Sequence, residues 1–475
     1  MRILLVNTNR MKPAVAPIGL DYVADSLIAS GHEPRLLDLC FSEDMPTDIR
    51  AVVAGFAPEL IGFTVRNTDD CYFSGGAFFL PGIREMVEEL RQCSDAPIVV
   101  GGVGYSVAPE QVMEFVGADY GVHGEGEAGM VGLADALAGG RPLNAVPNLV
   151  YRESGEVCSN PAVDIDLAAL PRRTRSFVDN ARYFREGGQI GFETRRGCNM
   201  NCTYCADPVS KGRRVRLRPP EMVVDELKAL LDMGIDYFHT CDCEFNIPGE
   251  HAKAVCRAIV DSGLGDRIHW YAYCSITPFD TEMADLFKRA GCAGVDFGAD
   301  SGNDAMLARL GREFRREDLV RTAELCHRYG IPFMYDLLVG APGDTKDTVR
   351  ETIELMGEID ADCVGVSMGV RVYDGTVMAE VVRSEGDMAT NPNLYGAKTD
   401  NPGFVRPVHY ISPELGGPSI VGYLHELVGG DKRFFLPSNE EVESNYNYND
   451  NTVLVRAIAD GARGAYWDIL RKMGE

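Results

Sequence analysis

Residues 198–205 read CNMNCTYC and follow three residues after QIGFET at 189–194. The apolar run predicts a strand, and the polar residues among the cysteines predict a tight loop at its carboxyl end. Fourteen cysteines placed independently would give this three-thiol spacing about 0.01 times in a chain of 475 residues. Moving outward, the strand pattern returns in YFHTCD (237–242), HWYAYCS (269–275), GVDFGAD (294–300), FMYDLLVG (333–340) and CVGVSMGV (363–370). A segment with helical period separates each from the next. Six strand–helix units are two short of a closed eight-unit barrel. Residues 189–375 are therefore expected to form a partial (β/α)6 TIM barrel with its chemistry at the carboxyl ends of the strands.

The first 140 residues alternate in the same way. RILLVN (2–7), 34–39, IGFTV (61–65), PIVVGG (97–102) and YGVHGEGE (120–127) are predicted strands, with helical spacing over 17–30 and 83–90 between them. The fold class is thus α/β: a Rossmann-like doubly wound parallel sheet, then the partial barrel. Loops 7–17, 66–72, 101–106 and 124–127 leave the strand ends where such sheets bind ligands. Residues 141–188 lack sustained periodicity and are expected to be a linker. Residues 376–475 are expected to form a C-terminal α+β extension that caps the substrate, with NYNYNDN at 445–451 and a closing helix over 452–473.

Acidic residues outnumber basic ones by 71 to 46, a formal charge of −25, which repels nucleic acid from most of the surface. No run of about 18 apolar residues occurs, so no membrane span is expected. The N-terminus lacks the pattern of a secretory signal, and a cytoplasmic location follows as the expectation. In that compartment thiols stay reduced, so the cysteines point to metal or catalysis rather than to disulfides. Three thiolates from one loop, Cys198, Cys202 and Cys205, can hold three irons of a cubane cluster and leave the fourth open. The alternative is a four-thiolate zinc site combining Cys202 and Cys205 with Cys241 and Cys243.

With Tyr204 before the last cysteine, CNMNCTYC resembles the signature of the radical S-adenosylmethionine superfamily, and the resemblance covers about 190–375. It implies a four-iron four-sulfur cluster on Cys198, Cys202 and Cys205, whose open iron chelates S-adenosylmethionine. It also implies a set of cofactor contacts: Tyr204 at the adenine, and Asp242, Glu244 and Asn246 of CDCEFN near the methionine moiety. Ser275, Asp300, Ser301, Gly340 and Pro342 match later family positions near the ribose and adenine. Relatives often carry Glu-Ser where this chain has Asp300-Ser301.

In the first domain Pro17 and Gly19, then Gly101, Gly102 and Gly104 of GGVGYS, then Gly124, Glu125 and Gly126 of HGEGE resemble the cobalamin-binding domain that precedes the radical domain in one large subfamily. Glycine turns let backbone amides approach such a ligand closely. None of the eight histidines stands in an Asp-x-His-x-x-Gly pattern, so the usual imidazole for the lower face of the cobalt is missing. Arg66 and Asn67 follow strand three. Arg66 resembles an arginine that faces the cobalt in a tryptophan methyltransferase of the subfamily; the other reading is a loop salt bridge to Asp69 or Asp70.

The resemblance implies a cobalamin-dependent radical methyltransferase that moves a methyl group from S-adenosylmethionine, via methylcobalamin, to a carbon of a small organic substrate. Arg66 and the three cysteines would carry the catalysis, and a flavodoxin- or ferredoxin-type donor would supply electrons. Tyr273, Tyr335, Asn445 and Tyr446 are the candidate substrate contacts. The alternatives are a cyclisation, oxidation or rearrangement that keeps both cofactors, and a cluster- and cobalamin-binding protein without catalysis.

Overall fold

A computed structural model describes residues 1–438 and 446–474. The first sheet contains β1 (Arg2–Asn7), β2 (Glu33–Asp38), β3 (Leu60–Thr64), β4 (Ile98–Gly101), β5 (Tyr120–Val122), β6 (Leu149–Glu153) and β7 (Glu156–Ser159), in the spatial order β2-β1-β3-β4-β5-β6-β7. The first five strands are parallel and the last two antiparallel. Both faces are covered. Ile3, Leu5 and Val99 pack under one helix layer, while Leu4, Val6 and Val100 pack under the other. Burial on both faces is why these strands read as unbroken apolar runs.

The expected linker over 141–188 is corrected by this topology. β6 and β7 extend the first sheet as an antiparallel hairpin, a short pairing too brief for sequence periodicity to reveal. Beyond it, Arg175 lies wholly buried between the domains. Its Nε donates to Asp21 Oδ2 at 3.0 Å, its Nη1 to Glu226 Oε1 at 2.8 Å and to the Gly191 carbonyl at 2.9 Å, and its Nη2 to Asn180 Oδ1 at 3.0 Å. Asp21 belongs to the first helix (Ile18–Ala29) and Glu226 to a helix of the second domain (Pro220–Asp232). One guanidinium therefore ties three segments together.

The second domain begins with β8 (Ile190–Phe192) and the short antiparallel pair β9 (Arg195–Arg196) and β10 (Arg216–Leu217). Then come β11 (Tyr237–Thr240), β12 (His269–Cys274), β13 (Cys292–Asp300), β14 (Phe333–Val339) and β15 (Cys363–Met368). β16 (Val370–Arg371), β17 (Leu394–Gly396) and β18 (Val408–Tyr410) form a small antiparallel sheet. β19 (Phe434–Phe435) pairs in parallel with β15. The main sheet thus has seven parallel strands, in the order β19-β15-β14-β13-β12-β11-β8, one more than the six expected.

Alternation along these strands sorts their side chains. Trp270, Phe297, Tyr335 and Val366 face the helices in one large core, while Tyr271, Met334 and Cys363 face inward. The C-terminal helices Thr452–Ala459 and Tyr466–Gly474 fill the interior near the strand starts. There Trp467 packs on Tyr271, and Tyr271 Oη donates to Asp468 Oδ2 at 2.7 Å. The single closing helix expected over 452–473 is two helices, and they plug the end of the barrel where the strands start. A second buried ion pair, Arg371 to Asp69 at 2.8 Å, joins β16 to the loop after β3.

Replacing Arg175 by Ala leaves Asp21 buried without a cation and Glu226 with Arg218 alone, and is expected to cost about 3–5 kcal/mol in denaturant unfolding. Replacing Arg84, whose pair with Glu88 is solvent-exposed, should cost under about 1 kcal/mol in the same measurement.

Candidate functional site

The cysteine loop leaves β8 through Thr194 and Arg195. Asp242 holds that departure: its carboxylate accepts from the Thr194 amide at 2.9 Å, the Thr194 hydroxyl at 2.6 Å and the Arg195 amide at 3.1 Å. Gly311, at φ +78°, lets the loop lie against the following segment, where the Thr203 amide donates to the Leu310 carbonyl at 3.0 Å. Cys198 is buried, and Cys202 and Cys205 are partly exposed. Cys198 and Cys243 share a hydrogen bond that pulls the Cys198 thiol below its ordinary value and pushes Cys243 up. Burial raises Cys202 to about 11 against the nearby Arg312. Lys211 Nζ reaches Asp207 at 3.0 Å and Cys243 at 3.5 Å, adding positive charge beside the thiols. That donor set suits iron, which takes one thiolate per metal of a cube. Among the described residues no three His, Cys, Asp or Glu side chains stand gathered around one point, the three loop cysteines included.

Tyr204 belongs to a polar chain beside Cys202. Its hydroxyl lies 2.9 Å from both Asp300 oxygens and 2.9 Å from Arg312 Nη2, Arg312 Nε donates to Asp300 at 2.6 Å, and Arg312 stands 3.8 Å from Glu244. Burial pushes Glu244 up to about 8 even so. Asp300 sits at φ +60° after a register shift in β13, which turns its carboxylate toward Tyr204. Arg312, in the LARLGR segment, was given no role by sequence reasoning; a basic residue there carries no local signature.

Several expected cofactor contacts hold neighbouring backbone. Asn246, fully buried, accepts from the Ser275 amide at 2.9 Å and donates to the Ser275 carbonyl at 2.7 Å. Asp242 is spent on the strand end described above. Ser301 bonds Thr352 at 3.1 Å and accepts from the Asn303 amide at 3.1 Å. Ser275 is buried with its hydroxyl unpartnered. Gly340, at φ +114°, donates to Asp344 at 2.9 Å and shapes the turn that carries Pro342. Tyr335, expected at the mouth, faces outward with its hydroxyl donating to the Leu319 carbonyl at 2.7 Å. The phase of β14 sends Asp336 inward in its place. Asn445 lies outside the described residues, whereas Tyr446 is inside the barrel with Tyr273.

In the first domain a cavity of about 300 Å³ opens at the strand ends and runs between sheet and helices. Gly19, Gly101, Gly102, Gly124, Glu125 and Gly126 line it, with Leu5, Phe63 and Met130 deeper in and Cys241 and Cys243 on the facing domain. Pro17 starts the first helix just before the lining residues. Gly102 is at φ +104°, and a Cβ there would stand 2.5 Å from the Val65 carbonyl oxygen and 2.7 Å from Thr64 Oγ1. A flat ring with a long side arm fits such a cradle, and no histidine lines it. Gly104 lies off the lining: its amide donates to the Val65 and Arg66 carbonyls, and a Cβ would strike the Asn67 backbone. It thereby shapes the loop that presents Arg66. The salt-bridge reading of Arg66 fails, because Asp69 is taken by Arg371 and Arg66 has no ion pair among the described residues. Its charge instead acts on Tyr273 and Tyr466 across the domain junction.

The family model of the radical SAM superfamily matches residues 192–356, and that of the B12 binding domain matches residues 5–134. The tryptophan 2-C-methyltransferase of Streptomyces laurentii is 32% identical over 98% of this chain and 95% of its own length. The chain belongs to the cobalamin-dependent radical S-adenosylmethionine methyltransferases. It also resembles the solved structure of the methyltransferase TsrM from Kitasatospora setae with tryptophan and a S-adenosylmethionine analogue bound. That match has a TM-score of 0.92 at 32% identity, covering 100% of this chain and 98% of that one. The same protein with cobalamin and its four-iron cluster bound gives 0.90 at 31% identity, with 100% and 97% covered. As a member of this family the chain takes the cluster, S-adenosylmethionine and cobalamin, and methylates a carbon of a small substrate.

For this methyltransferase, Gly102→Ala is expected to abolish cobalamin retention, read from the absorption spectrum after reconstitution, while the iron content per chain stays at the wild-type level.

Proposed function

We propose that this methyltransferase acts on a carbon of the indole ring of tryptophan or a closely related amino acid. The observation that carries the reading is the barrel interior. Tyr273 is 46% exposed although it lies within the domain, beneath the cation of Arg66, with the rings of Tyr446 and Tyr448 5.9 Å apart nearby. A flat aromatic substrate finds ring faces there for stacking and hydroxyls for orientation. The full-length likeness to a tryptophan 2-C-methyltransferase, and to a structure holding tryptophan, supports the same substrate.

When bound, S-adenosylmethionine supplies the methyl group, cobalamin relays it and the cluster anchors the donor. The chain's own residues do the positioning. Arg312 and Asp300 fix Tyr204 beside the cysteine loop. Gly104 shapes the Arg66 loop, and Arg66 brings a cation, not an imidazole, to the junction of the two domains. The C-terminal helices close the interior at the strand starts and exclude water from that end. The same reading includes an external flavodoxin- or ferredoxin-type electron donor and a cytoplasmic location. The location is supported by cysteines that all stand as free thiols.

Anaerobic incubation of the cobalamin- and cluster-loaded enzyme with tryptophan, a reductant and S-adenosylmethionine bearing a trideuteriomethyl group tests this reading. The expected product is tryptophan carrying the intact labelled methyl on a ring carbon, seen by mass spectrometry. Recovery of unlabelled tryptophan while another added small molecule becomes labelled would overturn the substrate assignment.

A further inference from the structure

Two acids stand inside the barrel. Asp296 on β13 and Asp336 on β14 both point inward, and the register sets Asp296 opposite Met334 and Gly298 opposite Asp336. The two carboxylates are thus diagonal neighbours on one face, and they hydrogen-bond each other. Asp336 also receives the Tyr446 hydroxyl, and both crowd Gly365 on β15 so closely that a Cβ there would collide with them. Asp296 is 3% exposed, and its Oδ1 and that of Asp336 have no hydrogen-bond partner. No Lys, Arg or His pairs with either acid among the described residues, whereas Asp21, Glu127 and Glu226 at the domain junction each face an arginine.

Two desolvated carboxylates in contact cannot both ionise without a cation: burial and the neighbouring acid push Asp296 well above the usual carboxylate range, while burial lifts Asp336 to about 6, so the pair keeps one proton between them and carries one negative charge. The space they face is the one bordered by Tyr273, Tyr446 and Tyr448, between Arg66 on the cobalamin side and Glu244 on the cluster side. We infer that the Asp296–Asp336 pair is the seat of the substrate's ammonium group, which fixes the aromatic ring in the tyrosine-lined space. This rests on the amino-acid substrate reading above. It names the functional group that selects the substrate: an aromatic compound with a primary amine on its side chain. The pair is a positioning and specificity element, and the methyl transfer itself passes elsewhere.

Equilibrium binding to the fully loaded enzyme tests it with three probes: tryptophan, tryptamine, which keeps the amine and lacks the carboxylate, and indole-3-propionate, which lacks the amine. Tryptophan and tryptamine should bind wild type, and indole-3-propionate roughly 10–100-fold more weakly. In Asp296→Asn and Asp336→Asn the dissociation constant of tryptophan should rise about 10-fold or more, while that of indole-3-propionate stays level or falls. Cobalamin and iron content at wild-type levels shows that the variants are folded. The inference is overturned if indole-3-propionate binds wild type as tightly as tryptophan, or if the variants lower kcat while tryptophan affinity is unchanged, which would make the pair a proton acceptor in the reaction. If none of the three indoles binds wild type, the indole reading itself falls and this inference with it.

Discussion

A guanidinium with no exposed surface holds the two halves of this enzyme face to face. Arg175 takes one carboxylate from the first helix and one from the barrel, and it also bonds the carbonyl of Gly191 in the middle of β8. Its partners are themselves braced: Tyr22 Oη donates to Glu226 at 2.8 Å, Asn180 donates to Asp21 at 2.9 Å, and Arg218 reaches Glu226 at 2.7 Å. Buried charges are tolerated only when paired and fully hydrogen-bonded, so a slip of one domain on the other would leave several groups stranded at once. The cysteine loop begins a few residues past Gly191, and the glycine-lined cavity starts at the helix that carries Asp21. The distance between the two cofactor sites is therefore set by this network.

The second constraint is the two-residue period of a strand. Each barrel strand buries one face under helices and turns the other inward, so its phase decides which side chains can meet a substrate. In β14 the outward set is Phe333, Tyr335, Leu337 and Val339, which leaves Asp336 to the interior. In β12 the inward set holds Tyr271 and Tyr273. The lower part of the interior is packed with the C-terminal helices and the upper part is left to tyrosines and carboxylates, so one sheet provides both a plug and a chamber.

Features that depend on close neighbours in the chain were legible from sequence. The cysteine spacing, the glycine turns of the first domain and most strand positions are local, and each stands where it was expected. Features set by packing were not. Tyr335 looked as suitable as Tyr273 because an aromatic residue in a strand carries no mark of its phase. That Asp242 and Asn246 clasp neighbouring strand ends was not legible either, because a polar residue with that task reads the same in sequence as one that faces a cofactor. Arg312 reaches Tyr204 only because β13 shifts register and folds back. The signal that went unused was chemical: Asp296 and Asp336 interrupt the apolar runs GVDFGAD and FMYDLLVG, and an acid in the middle of a buried strand requires a partner or a purpose.

The central claim is that the chamber lined by Tyr273, Asp296 and Asp336 lies between two metal centres, one held on each domain. Anomalous diffraction from crystals of the reconstituted enzyme, recorded at the cobalt and iron edges, tests this most directly. Cobalt at the strand ends of the first sheet on the Arg66 side, iron at the Cys198 loop and the tyrosine-lined chamber open to both would agree with the account. Cobalt bound away from that junction, or walled off from the chamber by protein, would contradict it.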